Sequence, residues 1–180
     1  DNIVREAGTR NINVLFTIDW PTKWAQRTDI SAADFGPNDP RTRLPKKEYV
    51  TDFQNFVKAS VERYDGDGYQ DISGLSKPIK YWSFDNEMEI EDPNEYAWWM
   101  KKFYETVKET DSNAKVVLGA LLLDGNFLNS FLLSSNLEGS FYPYFDLLDM
   151  HYYPDVDGIT NGDFSDLLSR GDNAQFFTST

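Results

Sequence analysis

Ile79-Lys80-Tyr81-Trp82-Ser83-Phe84-Asp85-Asn86-Glu87 is the stretch whose reading decides the fold. Its body is rich in aromatic residues, as a strand favours. Its end is polar and closes on an Asn-Glu pair. A carboxyl group at the mouth of a buried, aromatic-lined strand can stay protonated near neutral pH, which is what a general acid needs. Three more segments read as strands with polar or aromatic groups at their ends. Ile12 to Asp19 (INVLFTID) is short and mostly apolar, as expected for a strand buried on both faces. Lys115 to Leu123 (KVVLGALLL) is the third. Phe145 to His151 (FDLLDMH) is the fourth, and it ends on the only histidine of the chain.

Helical patterns separate these strands. Tyr49, Val50, Phe53, Phe56, Val57 and Val61 recur at helical spacing, and that face is expected to pack on a sheet. Asp92-Pro93-Asn94-Glu95 is a helix start: Asp caps, Pro suits the first helical position, and Glu95 completes a capping box. Tyr96, Trp99, Met100, Phe103 and Val107 continue that helix, with Trp98 and Trp99 read as core. Asn126 to Ser134 predicts a short apolar helix, and Asp166 to Ser169 one turn in a polar tail. The order βαβαβαβ implies parallel strands joined by right-handed crossovers. A doubly wound sheet and a piece of a barrel both fit it. No Gly-rich phosphate loop follows any strand, which weighs against a nucleotide-binding doubly wound fold.

The chain has 180 residues, enough for a single domain over 1–180, whereas a complete eight-fold barrel takes about 250. It begins at Asp1 without a charged-then-apolar leader, and no apolar run is long enough to span a bilayer. We read it as the interior of a longer protein, so the missing leader says nothing about export. The net charge of -13 repels nucleic acid and anionic membrane, and neither is an expected partner. The acids are interspersed with apolar residues, as in a folded acidic protein. Aromatics are 16% of residues, which suits the stacking of sugar rings, although aromatic cores also occur without ligands. The absence of cysteine excludes disulfides, thiolate catalysis and Cys-ligated zinc.

Two connections stand out. Trp20 to Lys47 is long, rich in Pro, Asp and Arg, and falls at the C-terminal ends of the strands, where barrel active sites sit. It is expected to act as a lid or cleft wall. Asp65-Gly66-Asp67-Gly68-Tyr69-Gln70-Asp71 falls at the opposite face. The spacing of Asp65, Asp67 and Asp71 resembles a calcium loop, since close carboxylates and a Gly-permitted turn suit a hard cation. The plainer reading, a solvated Asp-Gly turn, is preferred; a calcium there would be structural.

Trp82-x-x-x-Asn86-Glu87 at a strand end resembles the fourth strand of clan A glycoside hydrolases. These are retaining β-glycosidases on a (β/α)8 TIM barrel. The resemblance implies that Glu87 is the acid/base and that Asn86 binds the sugar 2-hydroxyl. His151-Tyr152-Tyr153 is similar to the H-x-Y of the sixth strand, which makes His151 and Tyr153 substrate-side residues. Asp19-Trp20, with Trp24 just after, occupies the third-strand position that often lines the glycone pocket. Arg63-Tyr64 resembles the Arg-Tyr ending of the third helix. The implied fold is an incomplete barrel, about the third to sixth β/α units, with four parallel strands.

The chain departs from the family in three ways. Met88 stands where Pro commonly follows Asn-Glu, and no Glu occurs after Glu138, so no seventh-strand nucleophile is present. The first two strands are missing as well. The chain therefore reads as half of a two-carboxylate site. Trp82 and Phe84, with the acids Asp85, Glu89 and Glu91, are expected to keep Glu87 neutral. Against this stands a solvated acidic loop, since six acids fall between Asp85 and Glu95.

Hydrolysis of a β-linked oligo- or polysaccharide is thus the implied activity, with a carbohydrate as partner and no cofactor required. A non-catalytic carbohydrate-binding barrel and an inactive scaffold fragment are the alternatives. A metal-dependent hydrolase is poorly supplied with ligands by one histidine. Secretion or periplasmic location of the longer protein follows from family analogy alone.

Overall fold

The computed structural model describes residues 1–19, 22–27, 44–88, 91–122, 125–134 and 144–151. Four strands form one parallel sheet in sequence order: β1 (Leu15–Ile18), β2 (Tyr81–Phe84), β3 (Lys115–Leu122) and β4 (Leu147–His151). Helix α1 (Asn2–Thr9) precedes β1, and α2 (Val50–Glu62) lies between β1 and β2. Helix α3 (Pro93–Thr110) leads to β3, and α4 (Gly125–Leu132) leads towards β4. This is the expected α/β alternation, consistent with part of a (β/α)8 barrel.

The residues explain the elements. Asp92 caps α3, its carboxylate accepting the amides of Asn94 and Glu95 at 2.9 and 3.0 Å, with Pro93 in the first turn. Glu95 itself turns to Lys47 at 2.8 Å and Arg27 at 3.6 Å, so the contact expected from a capping box gives way to ion pairs. In β2, Trp82 and Phe84 share a face by the two-residue period of a strand. Phe84 meets Phe53 of α2 at 5.2 Å, and Tyr96 and Phe103 of α3 at 5.9 and 5.5 Å. Tyr96 is fully buried, and its hydroxyl donates to the Phe84 carbonyl at 2.9 Å. Trp82 packs on Phe16 of β1 at 5.1 Å. Each such ring contributes about 1.5–3 kcal/mol by leaving water. Helices α2 and α3 therefore cover the Trp82–Phe84 face. Trp99 joins this core, whereas Trp98 is half-buried beneath Lys47.

Three expectations change. β1 is not buried on both faces: Leu15 and Thr17 are exposed, and only Ile18 is buried. It is an edge of the sheet, so a single neighbouring strand covers it. Phe56, expected to face the sheet, is 58% exposed. Helix α1 was not expected at all. Local pattern does not specify it; tertiary contacts hold it. Asp1 accepts from Arg63 at 2.6 Å and from the Tyr64 hydroxyl at 2.9 Å, and Arg5 donates to the Ser73 carbonyl at 2.8 Å. The tail turn at Asp166 to Ser169 lies outside the described residues.

Candidate active site

Glu87 stands three residues beyond β2, at the end of a turn that L-residues adopt reluctantly. Asp85 and Glu87 have φ of 64° and 54°, in the left-handed region. Each such residue costs roughly 1–3 kcal/mol and persists only where its surroundings impose it. The impositions are visible. The Asp85 amide donates to the Ile18 carbonyl at 2.9 Å, tying the turn to the end of β1. The Asn86 amide donates to the Asp85 carboxyl at 2.8 Å. Met88 is buried and anchors the far side. Below the turn lies Gly119 of β3. A Cβ there would fall 2.3 Å from the Asp85 carbonyl oxygen and 2.6 Å from that of Phe84. The missing side chain is the space the turn occupies. The pairing of β3 with β4 also shifts register between Leu118 and Leu121, beside this glycine.

The turn delivers Glu87 to His151 at the end of β4. His151 Nδ1 and Glu87 Oε1 are 2.9 Å apart, across 64 residues of sequence. The two side chains are 32% and 18% exposed, so the pair sits at a mouth and not in the core. The contact works with the proton on either partner: Nδ1–H donates to a carboxylate, or a carboxylic acid donates to Nδ1.

Phe84 packs against rings of α2 and α3, and Trp82 against Phe16 of β1. A deeply buried carboxyl of this turn is Asp85, which is 4% exposed. Burial pushes its pKa well above the usual carboxylate range, and the negative Asp19 and Glu91 add to the rise. Sequence reasoning treated Asp85 only as a negative neighbour of Glu87. Its place directly before the Asn-Glu pair at a strand end was the available signal.

Asp19 and Trp24 meet on a separate feature. A cavity of about 240 Å³ beside the end of β1 is lined by Ile18, Asp19, Trp24, Tyr49, Phe53 and Phe56. Trp24 is 58% exposed and meets Tyr49 edge-on at 4.8 Å. Phe56 left the sheet face for this wall. The structure thus brings together Glu87 with His151, Asp19 with Asp85, and Trp24 with Asp19. Asn86 lies between Asp85 and Glu87, half-buried. Trp20, Tyr153 and most of the Trp20 to Lys47 connection lie outside the described residues, as does Glu89.

The Asp-Gly turn sits between α2 and β2, away from the strand ends that carry Glu87 and His151. Carboxylate oxygens of Asp65, Asp67 and Asp71 lie within 4.8 Å of one another. They already accept backbone amides: Asp71 from Gly66 and Gly68, Asp65 from Asp67, and Asp67 from Tyr69. Burial raises the Asp65 pKa despite the Asp67 amide, with Asp67, Glu62 and Asp71 adding to the rise. The bonds describe a self-braced turn.

No family model matches the chain, and no curated protein matches its sequence. Among solved structures it is similar to a glucosidase from Croceicoccus marinus, with a TM-score of 0.65 and 19% identity. The match covers 98% of this chain and 35% of the glucosidase, so the chain spans about a third of that protein's length. At that identity the likeness is one of fold.

Proposed function

We propose that this chain carries the acid/base half of a retaining β-glycosidase site. The observation that carries the reading is the contact of Glu87 with His151 at 2.9 Å, made between the C-terminal ends of two parallel strands. That is the face on which barrel enzymes place their chemistry. The fold likeness to a glucosidase supports the same class.

In this reading protonated Glu87 gives its proton to the leaving glycosidic oxygen. As a carboxylate it then takes a proton from the water that releases the sugar. Asn86 holds the hydroxyl beside the reacting carbon, His151 orients the acid, and Tyr153 is a substrate-side residue by the resemblance to H-x-Y. Trp24 and Trp20 offer rings to a pyranose, with Asp19 as an acceptor for its hydroxyls. The nucleophile is a second carboxylate supplied from outside these 180 residues. The substrate is a β-linked oligo- or polysaccharide. The chemistry needs carboxyls and water and no cofactor.

The test is Glu87→Gln in the protein that joins this chain to its nucleophile. Turnover of substrates with poor leaving groups should fall by about 10²–10⁴-fold, the share of general acid catalysis. Glycosylation by activated aryl glycosides should fall much less, because their leaving group needs little protonation. Equal loss on both substrate types would remove Glu87 from the acid role. A carbohydrate-binding role without catalysis is the second reading, favoured by the exposed Trp24 over an aromatic cavity. Sugar binding that survives Glu87→Gln, without turnover in the wild type, would select it.

A further inference from the structure

Asp85 has more contacts than a neighbour in a loop would need. Its amide is tied to Ile18, its carboxyl accepts the Asn86 amide, and its carbonyl rests over Gly119. The acid Asp19 stands beside it at the end of β1 and disfavours its ionisation. Asp19 is exposed and Asp85 is buried, so a proton is better placed on Asp85, where charge is least tolerated.

We propose that Asp85 is a positioning residue for Glu87: as a buried carboxylic acid tied to Ile18 and Asn86 and seated over Gly119, it locks the left-handed turn that sets Glu87 against His151. The function it serves rests on the glycosidase reading, but the geometry does not. Among the described residues, the titratable groups that bear on Asp85 are Asp19 at the end of β1 and Glu91 ahead of α3, both acids. Neither offers it a positive charge. The raised pKa of Asp85 agrees with the arrangement, since burial and both neighbours oppose its ionisation. The sign for stability follows. A carboxyl with a raised folded-state pKa stabilises the fold fully below its unfolded pKa, near 4, and loses that contribution as pH rises through its folded value.

The experiment uses the 180-residue chain and needs no activity. Its single histidine gives one unambiguous imidazole signal by NMR, which reports the contact with Glu87. Glu87→Gln fixes how far that signal moves when the contact changes. Asp85→Ala should move it comparably in a chain that circular dichroism shows to be folded. Asp85→Asn should leave it near the wild-type position, because an amide is neutral like the acid and its oxygen can accept from Asn86. A role in stability alone would lower Tm and leave the histidine signal in place, and that result overturns the proposal. So does an Asp85→Asn signal displaced as far as that of Asp85→Ala.

If Asp85→Ala does not fold, the pH dependence decides. Between pH 4 and 7, Asp85→Asn should gain on wild type in Tm, since wild type alone loses the protonated group. A difference in Tm that stays constant with pH would mean that Asp85 is not held protonated. Failure of the glycosidase reading would appear separately, as turnover indifferent to Glu87→Gln, with the histidine results unchanged.

Discussion

Gly119→Ala tests whether β3 was left bare for the turn that carries Glu87. In an ordinary strand position, alanine would gain about 0.5–1 kcal/mol over glycine through backbone entropy. Here the added methyl would lie 2.3 Å from the Asp85 carbonyl oxygen, 2.6 Å from the Phe84 oxygen and 3.0 Å from the Asp85 carbonyl carbon. All three atoms are backbone, so no rotamer change relieves the overlap. Reaching ordinary contact needs about 1 Å of movement between β3 and the end of β2, in a close-packed core. Overpacking of that kind costs about 1–3 kcal/mol, and a backbone obstacle points to the upper end. Against the entropy gain, the net loss is about 2 kcal/mol, or roughly 4–8 °C in Tm. Urea or thermal unfolding of the purified chain measures it, and the His151 imidazole signal should shift with it. An alanine variant as stable as wild type, with His151 undisturbed, would refute the claim that the turn depends on the missing side chain.

Other consequences are independent of that site. Lys80 donates to Asp111 at 2.6 Å and to the Asp65 carbonyl at 2.8 Å. Lys80→Met should cost about 1–2 kcal/mol by urea unfolding, a modest figure because Lys80 is partly exposed; no change would make the pair ornamental. Because the Asp65–Asp71 carboxylates already accept amides, calcium followed by chelator is expected to leave Tm where it began; a clear fall on chelation would instead establish a structural calcium loop. The 180-residue chain alone is expected to show no turnover of aryl β-glycosides above buffer, for want of a second Glu after His151. Turnover that disappears in Glu87→Ala would place a nucleophile among the acids already present.

The strands were legible because each is a short apolar run bounded by polar residues, and the helices because their apolar positions recur on one face. Which strand lies at an edge was not legible. Leu15 looks like Leu118 in sequence, yet one is exposed and the other buried, because burial depends on neighbours that pattern does not specify. Helix α1 escaped notice as well; partners from residues 63 to 73 tie down Asp1 just ahead of it and Arg5 within it. Glu87 and His151 could each be picked out as a polar group at a strand end. Their contact also requires the parallel order, since 64 residues separate them. The role of Asp85 was hidden because it rests on a left-handed turn, and on a glycine in another strand that makes room for it.

The distribution of charge separates the two ends of the sheet. At the N-terminal ends, acids meet cations: Asp111 with Lys80 at 2.6 Å, Asp146 with Lys108 at 2.8 Å, and Asp1 with Arg63 at 2.6 Å. These contacts brace the strands as they enter the sheet. At the C-terminal ends Asp19, Asp85, Glu87 and Glu91 gather, while Lys47 and Arg27 are engaged by Glu95. Crowded carboxyls oppose one another's ionisation, as Asp19 and Glu91 do at Asp85. Such a face also repels phosphates and carboxylates while leaving neutral ligands unaffected. Under the proposed function, a neutral sugar is the kind of ligand such a face would admit.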